Sequence, residues 1–155
     1  MASSSSPRNR ASDTTGAPAH WEHFEHDADI GVRGVGGDPA TAFEQAAIAM
    51  TAVIADPADV RPLHRVRFDC SAPDLELLLV DFLNGVVFEM ATRKMLFSRF
   101  DVGIEDATLR ATAYGEAVDV GRHQPAAEIK GATLTALDVH GREDGTWVAQ
   151  CVVDV

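Results

Sequence analysis

The stretch EHDADIG, residues 25–31, places three carboxylates at alternate positions around a histidine. Successive side chains of an extended strand point to opposite faces. Glu25, Asp27 and Asp29 would then share one face, with Cα atoms about 7 Å apart from one to the next, while His26 would lie among apolar neighbours on the other face. Because carboxylates at this spacing repel one another, we expect a bound cation or a basic side chain beside them.

A divalent metal ion is one candidate, since hard cations take oxygen ligands that separate strands can supply together. The chain ends in VVDV, so Asp154 and the terminal carboxylate of Val155 offer further oxygen donors on a terminal strand. Lys130 is the competing explanation, because a lysine beside Asp29 or Asp154 would pair a carboxylate without metal. A calcium loop of the EF-hand kind is excluded, because Ile30 stands where that loop needs glycine. Spacing alone does not decide whether these carboxylates bind a metal ion, pair with Lys130 or are solvated.

Three further side chains have two interpretations each. His26, on an apolar strand face, is either a hydrogen-bonded core residue or a ligand. Arg122 and His123, in the loop DVGRHQPA, are either solvated or placed to meet a phosphate or a partner. The chain contains no GxSxG elbow, phosphate-binding loop or zinc-finger spacing. The sequence therefore does not predict an independent enzyme.

The charge of the chain argues against direct binding of nucleic acid. Its 155 residues include 13 basic and 24 acidic side chains, for a formal charge of −11. Proteins that hold RNA or DNA through phosphates are normally basic, so we expect RNA contact only through a basic partner. No apolar run reaches the roughly 18 residues of a membrane span. Two widely separated cysteines, predicted to be core thiols, and the lack of a secretory signal indicate a reducing cytoplasm.

The periodicity of the chain predicts one domain over residues 21–155, after a disordered Ser- and Pro-rich tail over residues 1–20. Two segments have helical spacing, one with Asp38 as N-cap and one with Pro73, Asp74 and Glu76 in its first turn. Strands are predicted in RVRFDC and near residues 96–104, 108–118, 128–139 and 147–155, in addition to the opening strand. Because short turns join antiparallel neighbours, we predict an α+β fold, a two-layer sandwich with two helices packed on a mainly antiparallel sheet.

These segments resemble the archease family in order and spacing, over essentially residues 21–155. WEHFEHDADIGVRGVG resembles the amino-terminal signature of the family, and WVAQCVVDV resembles its carboxy-terminal strand. The two helical segments ATAFEQAAIAMTAVIAD and DLELLLVDFLNGVVFEM, and the strand LFSRFDV, resemble those of the family. AYGEAVDVGRHQPAAEIKGAT resembles its Tyr-Gly-Glu, Arg-His and Glu-Val-Lys blocks.

The resemblance implies a protein cofactor of an RtcB-type RNA ligase in tRNA splicing or RNA repair. Such a cofactor promotes guanylylation of the active-site histidine of the ligase, with GTP and a divalent ion, and so supports multiple turnover. The metal-binding residues of the family match Asp29, Asp154 and Val155, and its functional lysine matches Lys130. We expect Ca²⁺ in the isolated protein, with Mg²⁺ or Mn²⁺ as alternatives, and GTP only in the complex with the ligase.

Two departures from the family pattern stand near these residues. Asp27 replaces the usual threonine, and the Tyr-His pair that often follows the lysine is missing after Lys130. Two alternative functions stay open beside the cofactor role. One is an independent metal-dependent phosphohydrolase that uses the same carboxylates, and the other is a chaperone-like scaffold without metal chemistry.

Overall fold

The structure is a computed structural model that describes residues 18–155, so the predicted tail lies almost wholly outside the described residues. The strands are β1 (His20–His26), β2 (Asp29–Gly36), β3 (His64–Ser71), β4 (Met95–Glu105), β5 (Thr108–Ala117), β6 (Gly131–Ala132), β7 (Asp138–Gly141) and β8 (Trp147–Asp154). The helices are α1 (Pro39–Ile54), α2 (Leu75–Arg93) and the short α3 (Val120–His123), with a 3₁₀ turn at Pro57–Asp59.

Within residues 18–155 the strands form two sheets. The first sheet has the order β1-β2-β8-β6, with β7 also paired to β8, and the second has the order β3-β5-β4. Every strand pair is antiparallel. The predicted α+β class is confirmed, but the strands divide between two sheets where we expected one.

Helix α1 begins directly after its predicted cap, and α2 begins at Leu75, just after the residues Pro73 and Asp74 that were expected in its first turn. The side chain of Asp38 accepts a 2.7 Å hydrogen bond from the N–H of Thr41 at the start of α1. Asp74 accepts a 2.8 Å bond from Leu77 at the start of α2. Each aspartate satisfies one of the N–H groups that a first helical turn leaves without a partner.

The core lies between the helices and the inner faces of the two sheets. Helix α1 contacts strands of both sheets, and α2 contacts β3, β5 and β6. The ring of Phe82 stacks on those of Phe43 and Phe68, each at a centroid distance of 6.1 Å, which joins the helices to β3. Both cysteines are free thiols, as predicted, and burial raises the pKa of Cys70 and of Cys151 to about 11.

Two strand predictions are wrong. Residues 24–32 are not one strand, because a turn at Asp27 and Ala28 reverses the chain and makes β1 and β2 a hairpin. Asp27 has a φ of 54°, in the left-handed region that aspartate tolerates better than most residues. Residues 128–139 form only the short β6 and the first part of β7, separated by a loop.

None of the helices in residues 18–155 combines the length and apolar character needed to cross a bilayer.

Candidate functional site

Strand β2, near the beginning of the domain, and strand β8, at its end, are neighbours in the first sheet, and Asp29 and Asp154 lie at the same end of this strand pair. Ile30 of β2 lies opposite Val153 of β8. One step further along this antiparallel register, Asp29 lies opposite Asp154. Asp29 and Val155 also line the same open pocket, of about 430 Å³. Two exposed side-chain carboxylates and the half-exposed terminal residue are therefore neighbours at one end of the molecule.

The hairpin turn changes the faces predicted for the acidic stretch. His23 of β1 faces α1, where its Nε2 lies 2.7 Å from the carbonyl oxygen of Ala49. Glu25 shares that face because it lies two residues after His23 in the strand. His26 points to the opposite face, where it pairs with Asp29. The prediction that Glu25, Asp27 and Asp29 share one face is therefore wrong.

His26 is not a core residue, in contrast to one of the two interpretations of the sequence. Its side chain is 42% exposed, and its Nδ1 lies 3.8 Å from Oδ2 of Asp27, too far for a hydrogen bond. That nitrogen is nevertheless shielded from solvent and has no hydrogen-bond partner in the described part of the chain. Among the described residues it is the only buried side-chain nitrogen or oxygen without a partner, and it lies on the residue opposite Asp29.

Lys130 is tied to the same edge through its main chain. Its N–H donates a 2.7 Å hydrogen bond to the carbonyl oxygen of Asp154. The side chain is exposed and forms no ion pair with any residue in the range 18–155. The alternative in which Lys130 neutralises Asp29 or Asp154 is therefore not realised among the described residues.

Asn84 holds the short strand that follows Lys130. Its Oδ1 accepts a 2.8 Å hydrogen bond from the N–H of Ala132, and its Nδ2 lies 3.5 Å from the carbonyl oxygen of the same residue. The side-chain amide thus pairs with the open edge of β6 as a neighbouring strand would. Sequence reasoning missed this residue, although a lone amide inside the apolar run LLLVDFLNGVV was a visible signal.

A second cluster surrounds the buried carboxylate of Glu116 at the end of β5. The guanidinium of Arg122 lies 2.7 Å from Oε2, and Nε2 of His123 lies 2.9 Å from the same oxygen. Arg61 binds Oε1 through its side chain at 3.0 Å and Oε2 through its backbone N–H at 2.8 Å. Only 5% of the Glu116 side chain is exposed, so these contacts supply the partners that a buried charge requires.

The electrostatics of this cluster favour the ionised carboxylate. Arg122, the backbone N–H of Arg61 and the side chain of His123 hold the pKa of Glu116 far below its ordinary value. Nδ1 of His123 accepts a 2.9 Å hydrogen bond from the N–H of Asp119, which leaves Nε2 to donate to Glu116. His123 fits neither of the two alternatives left open by the sequence, solvation or contact with a phosphate or partner, because its side chain is fully buried. Arg122 is partly exposed but engaged by Glu116 and by the Asp59 carbonyl, so neither residue is free to meet a phosphate.

The two clusters lie at the same end of the molecule. Helix α1 runs back along β2 and ends at Ile54, beside the end of β2 that carries Asp29. The N–H of Ala126 donates a 2.8 Å hydrogen bond to the Ile54 carbonyl, and the segment then continues to Lys130. The Glu116 cluster therefore anchors one end of the loop that carries Lys130, and the bond to Asp154 anchors the other.

The oxygen donors of Asp29, Asp154 and the terminal carboxylate of Val155 are of the kind that a hard divalent ion prefers. Nδ1 of His26, opposite Asp29, is a nearby polar atom that the described residues leave unsatisfied. Within residues 18–155 no group of three or more His, Cys, Asp or Glu side chains is arranged to hold a metal ion. An ion held by Asp29, Asp154 and the Val155 carboxylate would therefore need further ligands from water or from a partner.

The fold and this edge together define a small antiparallel α+β protein with an exposed acidic end. Residues 21–155 match the model of the Archease protein family, and the chain belongs to this family.

Similar proteins and solved structures support membership of this family. The chain is 36% identical to Protein archease of Pyrococcus furiosus, over 87% of this chain and 98% of that protein. It is 37% identical to Protein archease of Methanopyrus kandleri, over 87% and 99% of the two chains. The solution structure of Methanobacterium thermoautotrophicum protein 1598 matches with a TM-score of 0.75 and 32% identity, over 87% and 98%. A Thermotoga maritima crystal structure, of an archease and possible chaperone, matches in fold with a TM-score of 0.55 and 17% identity, over 86% and 96%.

Proposed function

We propose that this protein is an accessory cofactor of an RtcB-type RNA ligase in the cytoplasm. In this role it promotes guanylylation of the active-site histidine of the ligase, in tRNA splicing or RNA repair, and is not itself the enzyme. The observation that carries the proposal is the meeting of Asp29, Asp154 and the terminal carboxylate of Val155 at one exposed edge, beside Lys130, in a chain of this family. The net charge of −11 favours docking against a basic surface, such as the mouth of an RNA-binding active site.

Each residue has a separate part in the proposed role. Asp29, Asp154 and the Val155 carboxylate would hold a divalent ion, with Ca²⁺, Mg²⁺ and Mn²⁺ as candidates. Such an ion, when bound, polarises phosphoryl oxygens and offsets their charge. Lys130, with an unpaired ammonium among the described residues, would stabilise negative charge that develops on GTP in the complex. The loop anchors at Glu116 and Asp154 restrict where that ammonium can reach.

The test is guanylylation of purified ligase with GTP, in the presence of wild-type protein or of the variants Asp29→Asn and Asp154→Asn. We expect each variant to stimulate guanylylation at least tenfold less than the wild type, which corresponds to about 1.4 kcal/mol. Equal stimulation by wild-type and variant proteins would refute the metal assignment. Both substitutions are close in shape to aspartate, so circular dichroism and thermal unfolding can establish that the variants are folded.

Asp106→Asn is the matched control. Like Asp29, Asp106 is an exposed carboxylate at a hairpin, and the substitution removes one negative charge. Strand β4 runs along α1 so that Phe97 contacts Thr51 and Val102 contacts Glu44, which places this hairpin at the other end of the molecule. We expect Asp106→Asn to stimulate the ligase as well as the wild type does.

The same experiment separates the alternatives. A chaperone-like scaffold, the role suggested for the Thermotoga maritima protein, would tolerate both asparagine variants, since its action would not depend on two carboxylates. An independent phosphohydrolase would turn over nucleotide without ligase, whereas the cofactor role predicts no turnover by the isolated protein.

A further inference from the structure

The outer face of the second sheet concentrates arginine in an otherwise acidic protein. The inner faces of β3, β5 and β4 pack on the core through residues such as Val66, Ala113 and Phe100. The alternate residues point away from the core and form rows across the three strands. The rows are Arg65–Tyr114–Arg99, Arg67–Thr112–Asp101 and Asp69–Arg110–Gly103, followed by Ser71–Thr108–Glu105 at the hairpin end. We call this surface the arginine face.

Charge is segregated between this face and the rest of the chain. The arginine face carries four arginines and three acids, so its formal charge is +1. The remainder of the chain has nine basic and 21 acidic residues, which is −12. The arginine face is thus slightly positive although the chain as a whole is strongly acidic. Its most positive part, the row of Arg65 and Arg99 with the adjacent Arg67, lies toward the end of β5 that carries Glu116, the end of the molecule that also holds Lys130.

Three of the four guanidinium groups have no acidic partner among the described residues. Arg65, Arg67 and Arg110 are exposed and form no ion pair within residues 18–155. Arg110 lies opposite Asp69 in register, yet their charged groups stay farther apart than an ion pair allows. Three unpaired guanidiniums on a solvent-facing sheet can bind an anionic partner without first breaking internal contacts.

An aromatic residue accompanies these cations. The guanidinium of Arg99 lies over the ring of Tyr114, 4.5 Å from its centroid, and the Tyr114 hydroxyl donates a 3.0 Å hydrogen bond to Asp101. Asp101 thus holds the Tyr114 hydroxyl and also lies 3.5 Å from the guanidinium of Arg99, so it fixes both members of the pair. Arginine planes and aromatic rings are the surfaces on which unpaired bases stack in single-stranded RNA.

We propose that the arginine face binds single-stranded RNA, with Arg65, Arg67 and Arg110 on phosphates and the Arg99–Tyr114 pair under a base. Arg65 and Arg67 are neighbours on one face of β3, so their planar forks can engage phosphates along a strand that crosses the sheet. Acidic protein segments would satisfy the cations but make no use of the stacked Arg99–Tyr114 pair. The inference goes beyond ligase activation and does not rest on it.

Fluorescence anisotropy of a labelled oligouridylate, titrated with the full-length protein at increasing salt, tests the proposal. Affinity for single strands falls with salt with a slope of about −0.7 per neutralised phosphate, so three arginines give a slope of about −2. We expect Arg65→Gln/Arg67→Gln to weaken binding at least tenfold at low salt and to reduce the slope to about −0.7.

Arg93→Gln/Arg142→Gln is the matched control, because it removes two exposed positive charges from α2 and from the β7–β8 turn. It should leave the slope unchanged and alter affinity less than twofold. The proposal is overturned by the absence of binding at low salt, or by equal losses in the two double variants. It is also overturned if polyglutamate of the same length competes as well as RNA does, since the face would then be specific for acidic polypeptide.

Discussion

The main-chain carbonyl of Asp154 accepts a 2.7 Å hydrogen bond from the main-chain N–H of Lys130. The next residue, Gly131, pairs with Asp154 in the β6–β8 ladder. The backbone of the candidate phosphate-facing lysine is therefore fixed against the backbone of a candidate metal ligand, while both side chains stay exposed. Any contact that holds β6 in place therefore also fixes the position of the Lys130 backbone relative to Asp154.

Asn84 holds β6 through Ala132, so its substitution tests whether β6 fixes the backbone of Lys130. We expect Asn84→Ala to cost about 1 kcal/mol of unfolding free energy, the usual value of one hydrogen bond. Because β6 then loses its contact with α2, amide hydrogen exchange should accelerate at Ala132 and Lys130 in particular. Asn84→Asp keeps the oxygen that accepts from Ala132 and should retain most of the protection.

Asp81→Ala, on an exposed position about one turn earlier in α2, is the control and should leave exchange in β6 unchanged. Unaltered exchange at Ala132 in Asn84→Ala would show that pairing with β8 alone holds the strand.

Binding of Ca²⁺ should raise the unfolding temperature of the protein. A ligand at a hundred times its dissociation constant stabilises the folded state by about 2.7 kcal/mol, which is about 5 to 10 °C for a domain of this size. Differential scanning calorimetry with Ca²⁺ and then with a chelator should show the increase and its reversal. The increase should vanish in Asp29→Asn/Asp154→Asn and persist in Asp106→Asn. A shift of equal size in all three proteins would place the ion elsewhere.

Helix positions could be predicted because their signals are local and periodic, whereas the meeting of the chain ends was expected from the resemblance to the family. Asp38 was predicted as the cap of α1, and the structure has this cap, whereas Asp74, expected inside the first turn of α2, is instead its cap. The division of strands between two sheets could not be predicted, because strand pairing depends on contacts between distant segments. The turn at Asp27 was missed because aspartate and alanine in sequence continue the alternation of a strand, and only the left-handed φ of Asp27 reveals the reversal.

The site residues likewise divide into those that the sequence identified and those whose surroundings it did not predict. Sequence identified Asp29, Asp154 and Lys130 by charge and family pattern, and these residues lie at one edge of the sheet. It placed Arg122 and His123 in a polar loop, either solvated or facing a phosphate or partner, because burial of a loop depends on a partner from another segment. That partner is Glu116, whose burial follows from its contacts with the loop itself and with Arg61.

Close approach of α1 to β2 requires glycine at position 34. A Cβ at Gly34 would overlap the backbone of Ala42 and Ala46 in α1, which cannot move without displacing the helix. We expect Gly34→Ala to lower the unfolding free energy by about 3 kcal/mol, at the upper end of overpacking effects. Gly103→Ala is the control, because a Cβ there meets no atom within 4 Å, and urea unfolding should show a change below about 0.5 kcal/mol. Similar losses in both variants would mean that the helix can shift to accommodate the methyl group.

The Glu116 cluster predicts a specific dependence of stability on pH. Contacts with Arg122, the Arg61 backbone and His123 lower the pKa of Glu116 in the folded protein below the ordinary value of 4.5. A carboxyl group whose folded pKa is depressed stabilises the fold above its unfolded pKa, and this contribution is lost as the pH falls toward the folded pKa. Glu116→Gln should therefore be clearly less stable than the wild type in urea at neutral pH, and the difference should shrink steadily below pH 4.5.

Glu128→Gln is the matched control for this prediction, since Glu128 is an exposed glutamate on the loop between His123 and Lys130. It should change stability little at either pH. If the deficit of Glu116→Gln is the same at pH 7 and at acidic pH, the cluster stabilises the protein through packing and neutral hydrogen bonds. In that case, the ionised carboxylate is not what anchors the loop that carries Lys130.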